Sequence, residues 1–387
     1  MLKNGYKIID TDTHVGPNLE TLKLYASDVL KARWSEFDPF LQPVTLGGHF
    51  LSVAPMKYGR ELGTEHQGEA AAQKGGDSPL RGAVTKTFVQ PPVDEGSNLN
   101  SKGRLDDMDL EGIDVNLIIP GTFGNAATTF DTPLAVELYD AFHRYIADYC
   151  SVDEDRLKGT LQLPAVAPEE AVRMVKEYGD KKWLAAVSVI LPEGTPIDDP
   201  SLYPIWSVLG DYDLPLLHHS FFYEPPYFPG YRDIWGNIVV ARAAAHPWGA
   251  QRLVAYLTLS GLFDVYPNLR IGFAECSAGW LPAWLNRLEG QAAYMSKKVP
   301  QRKMTSTEYA QNGRIFCGIE LYEGAGIAKS VTDLLGDGVL MYSSDYPHNQ
   351  AEFPNSPDHV FAWEDTLGKG TMKKLMSTNA EKYMRIL

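Results

Sequence analysis

The chain has 387 residues, of which 44% are hydrophobic and 22% are charged, and its formal net charge is −14. This acidic balance argues against nonspecific binding to nucleic acid or to an anionic membrane, because affinity for phosphate groups comes from Lys and Arg. The length is that of one large domain or of two average ones.

The cysteine content and the lack of long apolar runs indicate the compartment. The three cysteines, Cys150, Cys276 and Cys317, are an odd number in a large chain, which argues against a disulfide framework and favours a reducing cytoplasm. The first residues lack the apolar core of a secretory signal, and no run of about twenty apolar residues predicts a membrane span. We therefore expect a soluble, cytoplasmic protein.

The first predicted strand covers residues 7–14 and is followed by a long segment, 16–102, without sustained periodicity. A connection of this length is either disordered or a functional excursion over an active site. Its aromatic residues, among them Trp34, Phe37 and Phe40, favour a folded cap. We expect an inserted cap segment at 16–102 within a single domain that spans 1–387.

From residue 104 onward, helix and strand patterns alternate. Helices are predicted at 104–112, 132–150, 168–178, 201–210, 239–261, 280–291, 325–335 and 369–386. Seven further strands are predicted at 114–120, 158–164, 185–191, 213–219, 269–275, 314–320 and 339–345. Several strands are apolar on successive residues, as expected where both faces of a parallel sheet are covered. Eight β-then-α units predict an α/β fold of the closed (β/α)8 barrel type, with a doubly wound open sheet as the alternative.

Metal-binding side chains stand at the ends of several of these strands. A parallel barrel gathers the carboxyl ends of all its strands around one mouth, so residues distant in sequence can surround a single ion. The candidates are Asp12 and His14 on the first strand, His218 or His219 on the fifth, Glu275 on the sixth and Asp345 on the eighth. Glu320 ends the seventh strand in a similar way.

The histidine candidates also have ordinary structural interpretations. Asp12 and His14 are two residues apart, so they share a face of the strand and can clamp an ion, but Asp-Thr-Asp-Thr-His is also a typical polar turn. His218 and His219 point to opposite faces, so only one of them can enter the barrel mouth. The alternative for either is a hydrogen-bonded core histidine.

The two carboxylates differ in how strongly they indicate a site. Asp345 follows a buried strand, and an unpaired buried carboxylate is costly enough to require a metal or another cation. Its alternative role, the N-cap of a following helix, is disfavoured by Pro347. Glu275 can ligate a metal, act as an acid or base, or hold the N-terminus of the next helix.

Six sequence motifs carry a family resemblance that covers nearly the whole chain apart from 16–102. The motifs are GRLDDMDLEGIDVNLIIPG, DRLKGTLQLPAVAPEEAV, SGLFDVYPNLRIGFAE, GWLPAWLNRLE, SSDYPH and NAEKYMRIL. With these motifs the sequence resembles the amidohydrolase-related branch of the amidohydrolase superfamily. That group includes aminocarboxymuconate-semialdehyde decarboxylase and the nonoxidative aromatic acid decarboxylases.

The resemblance implies a set of metal ligands, and the sequence departs from the family pattern at two positions. The implied metal ligands are Asp12, His14, His219 and Asp345. Asp12 stands where the decarboxylase named above has histidine. Glu275 stands near the position at which many relatives carry a catalytic histidine on strand six, and a shift of one residue would place Cys276 there. Because glutamate needs burial to raise its pKa before it can donate a proton at pH 7, this replacement bears directly on the chemistry.

By the same resemblance, the expected reaction is metal-dependent nonoxidative decarboxylation of a small carboxylated aromatic or unsaturated substrate. Two imidazoles and two carboxylates suit Zn²⁺ best and are compatible with Mn²⁺ or Fe²⁺. Glu275 or His246 would supply the proton, and Arg242, Tyr223 and Trp248 would contact the substrate. The alternative for His246 is a surface or capping histidine. Relatives are commonly dimers, so a homo-oligomer is expected.

Two other functions remain open from the sequence. With the same site, Asp345 could act as the base in hydrolysis of an amide, a lactone or a C–C bond by a metal-activated water. A noncatalytic binding protein on a degenerate barrel would instead lack stoichiometric metal.

Overall fold

The computed structural model describes residues 2–43, 49–51, 98–120, 126–192, 194–219 and 238–386. Within them, eight parallel strands form one sheet whose strand order is the order of the chain. These strands are β1 Ile9–Val15, β2 Val115–Pro120, β3 Leu157–Pro164, β4 Leu184–Ile190, β5 Leu216–His219, β6 Ile271–Ala274, β7 Ile315–Ile319 and β8 Leu340–Tyr342. All eight coincide with strands predicted from the sequence.

The sheet closes where the last strand returns to the first. Thr13 forms a parallel bridge with Tyr346. The backbone N–H of Asp345 donates to the carbonyl of Asp12 at 3.0 Å, and that of His14 donates to the carbonyl of Tyr346 at 2.7 Å. This closure makes the fold a (β/α)8 barrel and rules out the open doubly wound sheet.

Helices follow the strands, as the alternating pattern predicted. The longer ones are α1 Asn98–Glu111, α2 Thr132–Cys150, α3 Pro168–Tyr178, α4 Tyr203–Asp211, α5 Ile238–Leu259, α6 Leu281–Tyr294 and α7 Gly324–Leu335. In the described ranges, no helix has both the length and the apolar character that crossing a membrane would require.

Two predicted helices differ from the structure at their ends. Helix α1 begins at Asn98, six residues before the predicted start, and the polar side chains of Asn100 and Ser101 in its first turn are buried. The predicted helix 369–386 is three pieces, Lys369–Lys373, a π-helical turn Lys374–Thr378, and Asn379–Tyr383. The break lies where the Asn379 amide donates to the carbonyls of Asp337 and Leu340, a tertiary contact that periodicity cannot reveal.

The described beginning of the predicted cap is folded. It contains the helices Leu19–Leu24 and Asp28–Ala32, the 3₁₀ helix Trp34–Phe40, and a hairpin of Leu41–Pro43 with His49–Leu51. It packs on the outer helix α2, where the Tyr25 hydroxyl donates to Asp148 at 2.6 Å and Arg144 donates to the Tyr25 carbonyl at 2.7 Å. Residues 52–97 of the predicted cap lie outside the described ranges, so its extent and its role over the mouth stay predictions.

The barrel interior holds a buried cluster separate from the larger core between sheet and helices. Residues from strands on all sides of the barrel meet Ala380, Tyr383 and Met384 there. Tyr383 reaches under the sheet and donates to the Leu216 carbonyl at 2.8 Å, in space that the missing side chain of Gly272 leaves open. With this end filled, the opposite end, formed by the carboxyl ends of the strands, is left to hold the site.

Candidate metal centre and active site

A bulge in β1 places the first two candidate ligands. One extra residue lies between Asp10 and Thr13 relative to β2, so the strand bends just where Asp12 leaves it. Asp12 and His14 remain on one face and are both buried. The His14 Nε2 lies 3.1 Å from Asp12 Oδ1.

The other two candidate ligands come from β5 and from the turn after β8. His219 is the last residue of β5, and its Nε2 lies 3.8 Å from Asp12 Oδ1. Asp345 follows β8 with a left-handed backbone (φ 63°) that turns its carboxylate inward, 3.0 Å from His14 Nε2. One ligand atom from each of Asp12, His14, His219 and Asp345 lies within 4.8 Å of the other three.

The donor atoms fit a metal ion better than they fit one another. Asp12 is fully buried, yet neither of its carboxylate oxygens accepts a hydrogen bond from the described residues. The His14 Nε2 is close to two carboxylates but directs no hydrogen bond at either. Short distances without hydrogen-bond alignment mean that the atoms face a common point between them, and burying such charge without a cation is costly. The four residues therefore form a site for a divalent metal.

The pKa shifts of His14 and Asp345 also indicate that positive charge is favoured between these residues. Burial lowers the pKa of His14, but the adjoining carboxylates of Asp12 and Asp345 raise it to about 10. Burial raises the pKa of Asp345, yet His348 and His14 hold it well below its usual range. The carboxylates thus favour positive charge at the centre of the cluster, and a divalent metal would supply that charge.

Two residues after β8 hold Asp345 from outside the ligand cluster. His348 Nδ1 lies 2.6 Å from Asp345 Oδ1, and Gln350 Nε2 donates to Asp345 Oδ2 at 2.6 Å. The His348 ring also packs on the His14 ring at 4.6 Å. The sequence interpretation gave these residues no role, although the spacing of His348 three residues after Asp345 in a Tyr-Pro-His turn was a usable signal.

Glu275 and His246 lie beside the ligand cluster. Glu275 also has a left-handed backbone (φ 48°), and its Oε2 lies 3.2 Å from His219 Nε2. Its Oε1 lies 3.6 Å from the Nδ1 of His246, which comes from the first half of α5. Burial raises the pKa of Glu275, but His219 and His246 outweigh it and hold the pKa below its usual range. Glu275 is therefore ionised at neutral pH, which favours an accepting or orienting role over proton donation.

Two further buried groups, the Glu320 carboxyl and the Cys276 thiol, lie near Glu275. Glu320, just after β7, is almost fully buried, and burial together with the charges of Asp12, Asp345 and Glu275 raises its pKa well above the usual range. Cys276 donates its thiol to the Ala274 carbonyl at 2.9 Å. The thiol is therefore engaged at the end of its own strand.

A cavity opens beside the ligands. The described residues that line it are Ala243, His246, Pro247, Glu275, Ser277, Tyr322 and Gln350. Trp248, half-buried on α5, is not among them. Tyr223 and the side chain of Arg242 fall outside what the structure describes, so the three predicted substrate contacts stay predictions.

Comparison with known proteins agrees with this architecture. A family model described as amidohydrolase matches residues 97–386, three quarters of the chain. The chain belongs to the amidohydrolase family. No curated protein matches it in sequence.

Solved structures of similar fold cover almost the whole amidohydrolase chain. The 5-carboxyvanillate decarboxylase of Novosphingobium aromaticivorans, in complex with manganese and 4-hydroxy-3-methoxy-5-nitrobenzoic acid, has a TM-score of 0.67 and 21% identity over 98% of this chain and 96% of its own. The enzyme of that name from Sphingomonas paucimobilis gives 0.66 and 19% over 99% and 100%. The 2,6-dihydroxybenzoate decarboxylase of Rhizobium gives 0.61 and 18% over 98% of each chain.

Beneath the metal site of this amidohydrolase, a buried polar layer joins α1 to β1 and β8. Arg104 is fully buried, donates to the His14 carbonyl, and lies 4.6 Å from the centre of the Tyr346 ring. The Tyr346 hydroxyl donates to Asp107 at 2.6 Å. Nothing in the local sequence marked Arg104 for this place, since its partners are about 90 and 240 residues away in the chain.

Proposed function

We propose that the protein is a metal-dependent nonoxidative decarboxylase of a small carboxylated aromatic or unsaturated acid. The observation that carries the proposal is the convergence of Asp12, His14, His219 and Asp345 on one point, with His246 and Glu275 beside it. The likeness to decarboxylases named for aromatic acids supports the substrate class.

The four ligands would hold one divalent ion. When bound, that ion would supply the positive charge that an anionic substrate needs in an otherwise acidic protein. The donor set suits Zn²⁺, the ion expected from the sequence, and is also compatible with Mn²⁺, which the Novosphingobium enzyme holds. Elemental analysis of the purified protein distinguishes the two.

We assign proton delivery to His246. Its imidazolium gives a proton to the ring or vinylic carbon that bears the carboxylate, the bond from that carbon to CO₂ breaks, and its electron pair returns to the π system. CO₂ and the protonated product leave, and His246 takes a new proton from water. Glu275 lies 3.6 Å from His246 Nδ1 and lines the same cavity, so its carboxylate would help to orient the ring.

This assignment replaces the histidine that many relatives carry on strand six. The proton donor comes from α5, and the strand-six position supplies the carboxylate that orients it. Asp345 is less suited to act as a base, because His348 Nδ1 and Gln350 Nε2 already contact its two carboxylate oxygens. A homodimer in the cytoplasm remains our expectation for the enzyme in the cell.

A substrate panel tests the proposal. Purified protein, analysed for metal and incubated with hydroxybenzoates and carboxylated methoxyphenols, should release CO₂ and the corresponding phenol in equal amounts. Release of two organic fragments without CO₂ from amide, lactone or diketone substrates would instead establish hydrolysis. Absence of stoichiometric metal would favour the noncatalytic alternative.

A further inference from the structure

The loop after β6, residues 275–280, holds a conformation that its sequence does not favour. Glu275 (φ 48°) and Ser277 (φ 56°) both have left-handed backbones, although neither is glycine. Such residues persist where surrounding contacts determine them. The contacts that determine this loop therefore also determine where the Glu275 carboxylate lies.

Several of these contacts come from the turn after β7, residues 320–323. The Glu323 carboxylate accepts the backbone N–H of Ala278 at 3.0 Å from each oxygen and that of Gly279 at 2.8 Å. The same carboxylate accepts the N–H of Glu320, in its own turn, at 3.0 Å. One side chain thus ties the two loops together through three N–H groups.

The shapes of both loops fit this contact. A side chain at Gly279 would place its Cβ 3.3 Å from Glu323 Oε1 and 2.8 Å from Ile327, so glycine is needed for the close approach. Next to it, the Tyr322 hydroxyl lies 2.8 Å from Ser277 Oγ. Tyr322 and Ser277 both line the cavity that Glu275 and His246 share.

We propose that the turn 320–323 is part of the active site and that Glu323 is the positioning residue for Glu275. The role in catalysis rests on the proposed function, whereas the mechanical link between the two loops does not. A carboxylate is required because both oxygens accept from N–H groups, and an amide would turn its own donors toward one of them. Tyr322 adds a weaker second tie through Ser277.

Two variants and a matched control test the proposal in the intact protein. E323Q disturbs the link with little change in size, and Y322F removes only the hydroxyl contact. Glu289 is the control, because it likewise accepts a backbone N–H, that of Ser306 at 2.6 Å, but outside the cavity lining. Hydrogen exchange of the peptide 275–280 and steady-state kinetics are measured for each variant, with whichever substrate the panel identifies.

We expect E323Q to speed exchange at Ala278 and Gly279 and to lower kcat by about 10- to 100-fold, with KM and bound metal little changed. Y322F should lower kcat by less, and E289Q should leave it unchanged. Unaltered exchange in E323Q overturns the proposal whatever reaction the enzyme runs, and faster exchange with undiminished kcat overturns the positioning role. If E323Q does not fold, Y322F decides by the same two measurements. Failure of the panel to release CO₂ contradicts the proposed function alone, since exchange is read without substrate.

Discussion

Asp10 and Asp12 lie two residues apart on β1, are both buried, and have opposite surroundings. Asp10 accepts hydrogen bonds from the backbone N–H and the hydroxyl of Ser344 and from the N–H of Asp12. Asp12 accepts none from the described residues, and its oxygens face His14 and His219. The polar groups around Asp10, the first layer, are hydrogen-bonded within the protein. Those around Asp12, the second layer, need a cation to balance their charge.

The difference shows that burial of a carboxylate does not by itself identify a functional site. A buried polar group that the protein satisfies contributes to stability and to the geometry around it. A buried charged group that accepts no hydrogen bond and faces other candidate ligands around one point indicates a ligand site. Removing a member of each layer should therefore have different consequences.

The largest effect is expected from D12N, compared with D10N. An amide at position 12 removes an anionic ligand, so metal affinity should fall by more than about 100-fold, and activity with it. In D10N the new amide can donate to the Ser344 hydroxyl and its oxygen can still accept, so bound metal should be unchanged. Elemental analysis of both purified variants measures this. Metal retained in D12N, or lost in D10N, would reverse the roles we give the two layers.

The next largest effect is expected from H246Q, which tests whether His246, beside the metal ligands, delivers the proton. Glutamine cannot carry the proton, so kcat should fall by about 10²- to 10⁴-fold. Metal content should not change, because His246 is not among the four ligands. A kcat within threefold of the native value would transfer proton delivery to another group.

The sequence was sufficient to predict the barrel and to select most of the candidate ligands for one physical reason. Each ligand ends or follows an apolar run, and closure of a parallel barrel brings such ends together without further information. Asp12, His14 and Asp345 could be selected on that basis. Selecting His219 over His218 required the family resemblance, and the structure places His218 away from the ligands, against the Phe273 ring at 5.9 Å.

The remainder depends on contacts between loops that are distant in sequence. The bulge in β1, the link from Glu323 to residues 278–279, and Arg104 beneath His14 leave no periodic or local signal. The ionised state of Glu275 likewise follows from His219 and His246, which are contributed by other elements. Such features could be found only once the elements were placed together.

A smaller effect is expected from pH, through a buried histidine outside the metal centre, His143 on α2. His143 is fully buried, accepts the Gln162 N–H at 3.0 Å, and has its pKa lowered to about 3 by burial and by the charge of Arg173. Below pH 6.5 this histidine binds a proton in the unfolded chain, whereas in the folded chain it binds one only near pH 3. The free energy of unfolding therefore falls as the pH falls. The loss from this residue should reach about 2 kcal/mol at pH 5 and vanish above pH 7.

Urea unfolding at pH 7 and pH 5 measures that loss, with H143Q as the reference, because its amide can still accept the Gln162 N–H without titrating. The difference in unfolding free energy between the two pH values should be smaller in H143Q by about 2 kcal/mol. An equal pH dependence in both proteins would mean that His143 is protonated within the fold.

The smallest effect is expected from T160V, a nearly isosteric change in the satisfied interior. The buried Thr160 hydroxyl donates to the Ile118 carbonyl at 3.1 Å, between neighbouring strands β3 and β2. Its loss should lower the unfolding free energy by about 1 kcal/mol, measured by urea at pH 7. Because no charge in this contact awaits a cation, metal content and kcat should both be unchanged. A loss of metal from T160V would mean that the two layers are coupled through the strands, and the contrast between Asp10 and Asp12 would then be one of degree.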